Sequence, residues 1–239
     1  MPNINTASEK ILHTIKRYCS KGVRRVTKRR GFGVHSPFVF NFIIRVIEEK
    51  AQYYSYSAIE AQYFKVKKAL TSKSPIKLHP LKFSKLIFRV ANRLKPTTVL
   101  ECGTAYGVST IALSLSKNNI QLTTIEPNAE IARWVDGAIV KDYTMALKQY
   151  YSSNSVPDLI YIRIQEKSSD YKAIYGAITP YIKENSAIIV AGIRTTKENY
   201  SLFKEFSANP IIKVTIDLYD TAILVASPKL NKQQFKVSF

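Results

Sequence analysis

From Pro96 onward, short apolar runs rich in β-branched residues alternate with stretches of helical periodicity. The runs are TTVLEC (97–102), QLTTIE (121–126), AIVK (138–141), DLIYIRI (158–164), SAIIVA (186–191), IIKVTIDLY (211–219) and TAILVAS (221–227). This alternation predicts a parallel sheet with helices on both faces. Only Asp220 separates the last two runs, and so short a link requires an antiparallel pair. The sequence therefore predicts a doubly wound, Rossmann-like α/β sheet of seven strands, mostly parallel, with an antiparallel last strand.

The charge divides the chain at the same point. The net charge is +19, and residues 1–95 hold 21 lysines and arginines against four acids, whereas residues 96–239 hold 15 against 13. Before the division, capping and apolar periodicity predict helices over about 7–20, from Pro37, and up to Lys95. We therefore divide the chain into a basic helical N-terminal extension, residues 1–95, and a Rossmann-like domain, residues 96–239.

Neither a membrane span nor a secretory signal is visible in the sequence. No apolar stretch approaches the roughly 18–20 residues that a span needs, and MPNINTASEK lacks the charged start and apolar middle of a signal peptide. Cys19 and Cys102 stand far apart and outside any metal-ligand pattern, which predicts free thiols. These features predict a cytoplasmic protein.

Residues 1–30 combine a basic amphipathic helix with the run KGVRRVTKRR. Such a segment suits RNA, through contacts to phosphates. It equally suits an anionic membrane surface, which would make the protein peripheral to the membrane. A solvated face on a basic protein explains the same charge without a partner. Nothing in the segment reads a particular base or lipid, so all three interpretations stay open, as does a homo-oligomer.

A glycine turn follows the first predicted strand. In Glu101-Cys-Gly103-Thr-Ala-Tyr-Gly107, glycine backbone lies where another molecule can approach closely. A phosphate-binding loop needs GxxxxGK[ST] and a dinucleotide fingerprint needs GxGxxG, and the spacing here fits neither. An adenosyl sulfonium cofactor fits better, because an acid at the strand end and a GxxxG turn suit a cationic methionine group.

Two further acids follow predicted strands. Glu126 ends the second run, where a carboxylate can accept both hydroxyls of a ribose. Asp142 follows the third run and could border an adenine ring. Solvated loop acids would give the same pattern at either position.

Residues 97–227 resemble the class I S-adenosylmethionine-dependent methyltransferases, and ECGTAYGVSTIAL is similar to the first motif of their O-methyltransferase-like branch. RRGFGVHSPFVFNF resembles the N-terminal region of a group of bacterial methyltransferase-like proteins. The resemblance implies a methyltransferase domain over residues 96–239 with S-adenosylmethionine as cofactor. It implies that the cofactor is contacted by Glu101, Gly103, Thr104, Gly107, Ser109 and Glu126.

The metal-binding acids of the metal-dependent O-methyltransferases have no counterpart here. Those enzymes carry an aspartate in a pattern like DLIFIDA and an acidic pair as in VVxDD, whereas this chain has Arg163 and Ala191-Gly192 at the matching places. A hard divalent cation needs several oxygen ligands, and a guanidinium repels it. The sequence therefore predicts a mechanism without a metal.

Three residues are candidates for the catalytic side. His35 could fold over the strand ends as a base, or the HSP motif could simply start a helix. Arg163 and Arg194 could bind an acidic substrate at the strand ends, or pair with Glu166 or Glu198 on the surface. Tyr106 and Tyr161 could line the pocket or pack as ordinary aromatics.

The sequence is compatible with two functions. The first is a metal-independent methyltransferase acting on a small or anionic acceptor. The alternative is a catalytically inactive methyltransferase-like binding protein that uses its basic N-terminal region to engage RNA or an anionic membrane.

Overall fold

The computed structural model describes residues 34–72, 74, 76–153, 156–163 and 168–239. The helix predicted over 7–20, the polybasic run, Cys19 and Glu166 lie outside these residues. The RNA, membrane and homo-oligomer partners therefore stay predictions.

Within the described residues, seven strands form one sheet in the order β2-β1-β3-β4-β6-β5-β7. The strands are β1 (Thr98–Cys102), β2 (Gln121–Ile125), β3 (Leu159–Arg163), β4 (Ala187–Ala191), β5 (Val214–Asp217), β6 (Thr221–Val225) and β7 (Gln233–Lys236). Strands β1 to β4 pair in parallel, β6 is antiparallel to both β4 and β5, and β7 is parallel to β5. The predicted mixed α/β sheet and its antiparallel hairpin are confirmed.

Two strand assignments differ from the prediction. The strand predicted at 138–141 is wrong, because this segment pairs only through a single bridge from Ile139 to Ile125. Ile139 is only partly buried and its neighbour Val140 is 47% exposed, so the run has no buried residue to hold it in the sheet. The seventh place belongs to β7, in which Phe235 alone is apolar. The antiparallel strand β6 is therefore not the last strand.

The helices lie before β1 and between the strands. They are α1 (Pro37–Phe42), continuing as a π-helical turn (Ile43–Ile47), α2 (Tyr56–Ala69), α3 (Leu81–Leu94), α4 (Val108–Ser114), α5 (Ala129–Ala132), α6 (Tyr143–Ser153), α7 (Ser168–Ile178), followed by a 3₁₀ turn (Thr179–Tyr181), and α8 (Lys197–Ala208). The predicted helix at Pro37 and the helix end at Lys95 are confirmed, since Ser36 caps α1 and Lys95 is left-handed with φ 52°. None of the helices in the described ranges has the length and apolar character needed to cross a bilayer.

Each face of the sheet carries its own apolar cluster, because successive side chains of a strand point to opposite faces. Val99, Tyr161 and Ile189 pack with α1 to α4 on one face. Leu100 and Ile160 pack with α6, α7 and α8 on the other. The helices before Pro96 thus bury apolar side chains against the sheet, while the domain division at residue 95 stays a prediction.

Candidate functional site

The carboxyl ends of β1, β2 and β3 meet beside one turn, residues 103–107, which joins β1 to α4. Three residues of the turn have left-handed backbone: Gly103 (φ 89°), Ala105 (φ 51°) and Gly107 (φ 76°). Glycine adopts this conformation without steric cost, whereas alanine does not. The two glycines are therefore needed for the shape of the turn itself.

Glu101, in β1 just before the turn, is fully buried among hydroxyl groups. Its Oε1 accepts a hydrogen bond from Ser109 Oγ at 2.6 Å. Its Oε2 accepts from Thr110 at 2.7 Å and from Thr124 at 2.9 Å. Burial raises the pKa of Glu101 to about 7, although these hydroxyl donors lower it. The carboxyl group therefore holds a proton more readily than a solvated glutamate does.

Glu126, directly after β2, connects the second strand to the turn. Its Oε2 accepts from the Ala105 backbone N–H at 2.9 Å, and its Oε1 accepts from the Asn128 N–H at 3.2 Å. The side chain is only 5% exposed, so it is not a solvated loop acid. Burial raises the pKa of Glu126 above its usual range. A carboxylate has about four acceptor positions, so Glu126 retains two for a ligand.

Protein atoms lie against both glycines. A Cβ added to Gly103 would lie 1.7 Å from the carbonyl oxygen of Arg163, and one added to Gly107 would lie 2.6 Å from a methyl carbon of Val135. The close approach that the sequence suggested for a bound molecule is made here by β3 and by the segment after α5. Close packing within the protein is therefore a second reason for glycine at these two positions.

A short segment of the N-terminal region covers the turn. We call residues 76–77 the strap. Tyr106 Oη donates to the Ile76 carbonyl at 3.2 Å, and Arg163 Nη2 donates to the Lys77 carbonyl at 2.5 Å. From α2, Gln62 Nε2 donates to the Tyr106 carbonyl at 3.0 Å. Every residue from 101 to 109 is buried.

Arg163 ends β3 beneath the strap. Its side chain is 7% exposed, and its Nε has no hydrogen-bond partner among the described residues. Burial lowers the pKa of Arg163, while the charges of Glu101 and Glu126 raise it. The guanidinium is thus a buried cation within the electrostatic reach of both acids. Arg163 is therefore not a surface residue, and its predicted partner Glu166 lies outside the described residues.

Arg194 follows β4 and is directed towards β5, away from the turn after β1. It forms a two-pronged ion pair with Asp217, with N–O distances of 2.9 and 2.6 Å, and also donates to the Tyr219 carbonyl. Its guanidinium lies 4.2 Å from the centre of the Tyr200 ring. The predicted surface partner, Glu198, is therefore replaced by an acid from β5. Arg163 and Arg194 do not form one site.

The remaining predicted residues take structural positions. Asp142 is exposed and accepts from the Met145 N–H at 3.0 Å, at the start of α6, while its place beside an adenine ring stays a prediction. His35 is exposed beside the capping residue Ser36, and its catalytic role stays a prediction. Thr104 is fully buried, and its hydroxyl bonds that of Thr124. The cofactor contacts predicted for these and the other turn residues also stay predictions.

The aromatic candidates pack in the core. Tyr161 is 1% exposed within β3, and the Tyr106 ring packs edge-on against Trp134 at 5.6 Å. Sequence reasoning missed Gln62, the strap and Tyr143, whose hydroxyl lies 3.4 Å from the Cβ position of Gly103. The sequence is rich in tyrosines, but their number does not show that Tyr143 is the one whose hydroxyl reaches the turn. Among the described residues, no group of three or more histidine, cysteine or acidic side chains is placed to hold a metal ion.

Solved methyltransferase structures share this fold. The O-methyltransferase from Bacillus cereus in complex with SAH is 16% identical, with a TM-score of 0.54, and the match covers 80% of this chain and 97% of that one. The SAH-bound methyltransferase PaMTH1 from Podospora anserina is 14% identical, with a TM-score of 0.57 and coverages of 82% and 100%. The SAM complex of TomG, an O-methyltransferase of Streptomyces achromogenes involved in tomaymycin synthesis, is 12% identical, with a TM-score of 0.54 and coverages of 80% and 95%.

No protein-family profile and no curated protein sequence matches the chain. At identities this low, the likeness to the solved structures concerns the fold. The chain therefore has the α/β methyltransferase fold seen in these S-adenosyl-ligand complexes.

Proposed function

We propose that the chain binds S-adenosylmethionine at the turn after β1 and transfers its methyl group, without a metal ion, to a small or anionic acceptor. The observation that carries the proposal is the pair of buried acids, Glu101 and Glu126, at the ends of adjacent parallel strands. In open α/β sheets, ligands bind outside the carboxyl ends of the strands. The solved structures of the same fold were obtained with SAH or SAM bound.

The carboxylates of Glu101 and Glu126 fit such a nucleoside. The two free acceptor positions of Glu126 match the two hydroxyls of a ribose. Glu101, when ionised, places a negative charge where a cationic methionine group would be attracted. The strap and Arg163 cover this place in the described chain, so binding requires them to move. Their attachments to Tyr106 and to the Lys77 carbonyl are the contacts that must open.

Bound S-adenosylmethionine would supply a methyl group on a positively charged sulfur, which is electrophilic without metal assistance. The task of the protein is then to hold donor and acceptor in line. Glu126 would hold the ribose and Glu101 the methionine end. An acceptor that is already ionised at neutral pH needs no protein base, and the Arg163 guanidinium would attract such an anion.

A specific observation favours a second candidate, a methyltransferase-fold binding protein without catalytic activity. All residues from 101 to 109 are buried by the protein's own groups, and a cation already stands near both acids. A chain that no longer admits the cofactor would look like this.

Calorimetric titration of the full chain with S-adenosylhomocysteine tests the proposal. We expect binding that Glu126→Gln weakens at least tenfold and that Glu130→Gln leaves unchanged, because Glu130 is an exposed acid four residues away. No binding by the native chain at high-micromolar ligand would overturn the proposal and favour the second candidate.

Activity is measured separately. Labelled S-adenosylmethionine is incubated with the protein and a small-molecule extract, and label in a new compound is expected. Binding without any transferred label would also favour the second candidate.

A further inference from the structure

A cavity lies at the far edge of the sheet, between α8 and the strands β5 and β7. Its volume is about 620 Å³, within the range of small-molecule sites. We call it the edge groove. Its lining includes Tyr200, Phe203, Lys204, Thr215, Asp217 and Lys236.

The edge groove is separate from the turn after β1. In the sheet order, β5 stands four strands from β1. Neighbouring strands lie about 4.8 Å apart, so the two places are separated by roughly 19 Å along the sheet. A methyl group on a donor at the turn does not reach a molecule in the groove. The groove therefore serves a ligand other than the reacting acceptor.

The groove contains a hydroxyl group that lacks a partner. Thr215 is 4% exposed, and its Oγ1 has no hydrogen-bond partner among the described residues. The neighbouring residue on β7, by strand register, is Gln234, which also lines the groove. A buried polar group without a partner is costly in free energy. A ligand atom that bonds this hydroxyl would remove the cost.

The charges of the groove favour an anion. Lys204 on α8 and Lys236 on β7 both line the groove. The acid of the groove, Asp217, is paired with Arg194 and therefore does not offset the two lysines. The groove is thus positively charged where a ligand would enter.

The wall formed by α8 favours a flat ring. Tyr200 and Phe203 are adjacent, with ring centres 6.3 Å apart and planes inclined by 23°. Phe203 is only 3% exposed, so Tyr200 contributes most of the accessible aromatic surface. Arg194 lies 4.2 Å and Lys204 5.4 Å from the centre of the Tyr200 ring, so this ring is presented together with two cations. Aromatic side chains bind planar rings through offset or edge contacts.

From these features we propose that the edge groove binds a small planar aromatic molecule carrying one anionic group. Its ring packs on the Tyr200 and Phe203 wall, its anionic group lies between Lys204 and Lys236, and a polar atom bonds the Thr215 hydroxyl. The anionic group can be a carboxylate or a phosphate, and the site does not depend on methyltransferase activity.

Titration of the full chain with two probes tests the proposal: 4-hydroxybenzoate for a carboxylate and AMP for a phosphate. Binding is followed by ligand-observed NMR and calorimetry. We expect Thr215→Val to weaken binding of the preferred probe about tenfold, because one hydrogen bond to an anionic ligand is lost. Lys204→Ala and Lys236→Ala should each weaken it about threefold or more, whereas Lys148→Ala, at an exposed position on α6, should not.

The Thr215→Val variant has a second expected signature. Replacing the unpartnered hydroxyl by a methyl group should raise the Tm of the free protein by roughly 2–4 °C while weakening the probe. A purely structural threonine would not show these two opposite effects.

Three outcomes would overturn the proposal: neither probe binds, both bind Thr215→Val as well as the native chain, or binding is lost in Glu126→Gln and retained in Thr215→Val. The last outcome would place AMP at the turn after β1. Binding of S-adenosylhomocysteine, measured in parallel, reports on the proposed methyltransferase site independently.

Discussion

The carboxylate of Glu126 accepts a hydrogen bond from the backbone N–H of Ala105 at 2.9 Å, so the acid that follows β2 fixes the turn that follows β1. Ala105 is in left-handed backbone, with φ 51°, which an alanine adopts only at a cost. The hydrogen bond offsets part of that cost. Glu126, which we propose as a ligand-binding residue, therefore also stabilises the conformation of the turn that forms the site.

Glu126→Ala should destabilise the protein by about 2–3 kcal/mol, because it leaves the buried Ala105 N–H without an acceptor. Urea unfolding measures the loss. Glu130→Ala, at an exposed acid nearby, should change the free energy of unfolding by no more than about 0.5 kcal/mol. Equal effects of the two variants would mean that the contact to Ala105 contributes nothing.

Gly103→Ala should be severely destabilising, by about 4 kcal/mol or more, since the new Cβ would overlap the Arg163 carbonyl and φ is 89°. Gly176→Ala is the matched control. Gly176 lies within α7 with no atom within 4 Å of an added Cβ, and alanine there should stabilise by about 0.5–1 kcal/mol. Thermal unfolding of both variants tests the contrast. A folded Gly103→Ala protein of native stability would contradict the packing of β3 against the turn.

Glu101 should make stability depend on pH in an unusual direction. Burial raises its folded-state pKa to about 7, well above the roughly 4.3 of an unfolded chain. Its contribution is therefore fully present below about pH 4.3 and is lost as pH rises through 7, because the unfolded chain ionises first. The loss is on the order of a few kcal/mol. Glu101→Gln should lose less stability between pH 5 and pH 8, as measured by urea unfolding; parallel curves would refute this.

Arg163→Met should loosen the strap and admit a cationic ligand more readily. The variant loses the hydrogen bond to the Lys77 carbonyl and the positive charge near Glu101 and Glu126. Amide hydrogen exchange at residues 76–78 should therefore become faster, and S-adenosylmethionine should bind more tightly, by about tenfold, than to the native chain. Arg194→Met, whose partner is Asp217, should leave both measurements unchanged. Weaker binding in Arg163→Met would instead show that the guanidinium contacts the ligand.

The sheet was predictable because its central strands are nearly continuous apolar runs. Residues such as Leu159 to Ile162 and Ile188 to Val190 are buried on both faces, which is the pattern of a covered parallel sheet. β7 could not be predicted in this way, since an edge strand with a single apolar residue, Phe235, leaves almost no periodic signal.

The acids of the site were predictable, whereas its cover was not. Glu101 and Glu126 end apolar runs, and parallel strands bring such ends together. The strap contacts join residues 30 and 86 positions apart, Ile76 to Tyr106 and Lys77 to Arg163. Two of these four partners contribute only backbone carbonyls, which every residue type offers equally. Side-chain identity therefore carries no information about them.

The strap is anchored to the turn after β1 and to the end of β3 through its two carbonyl oxygens, yet it belongs to the loop between α2 and α3. Opening of the strap would move the loop that joins these two helices, which pack on the same face of the sheet. Occupation of the turn by a ligand would then change the conformation of the N-terminal helical region. The change would be detectable at the outer surface of these helices.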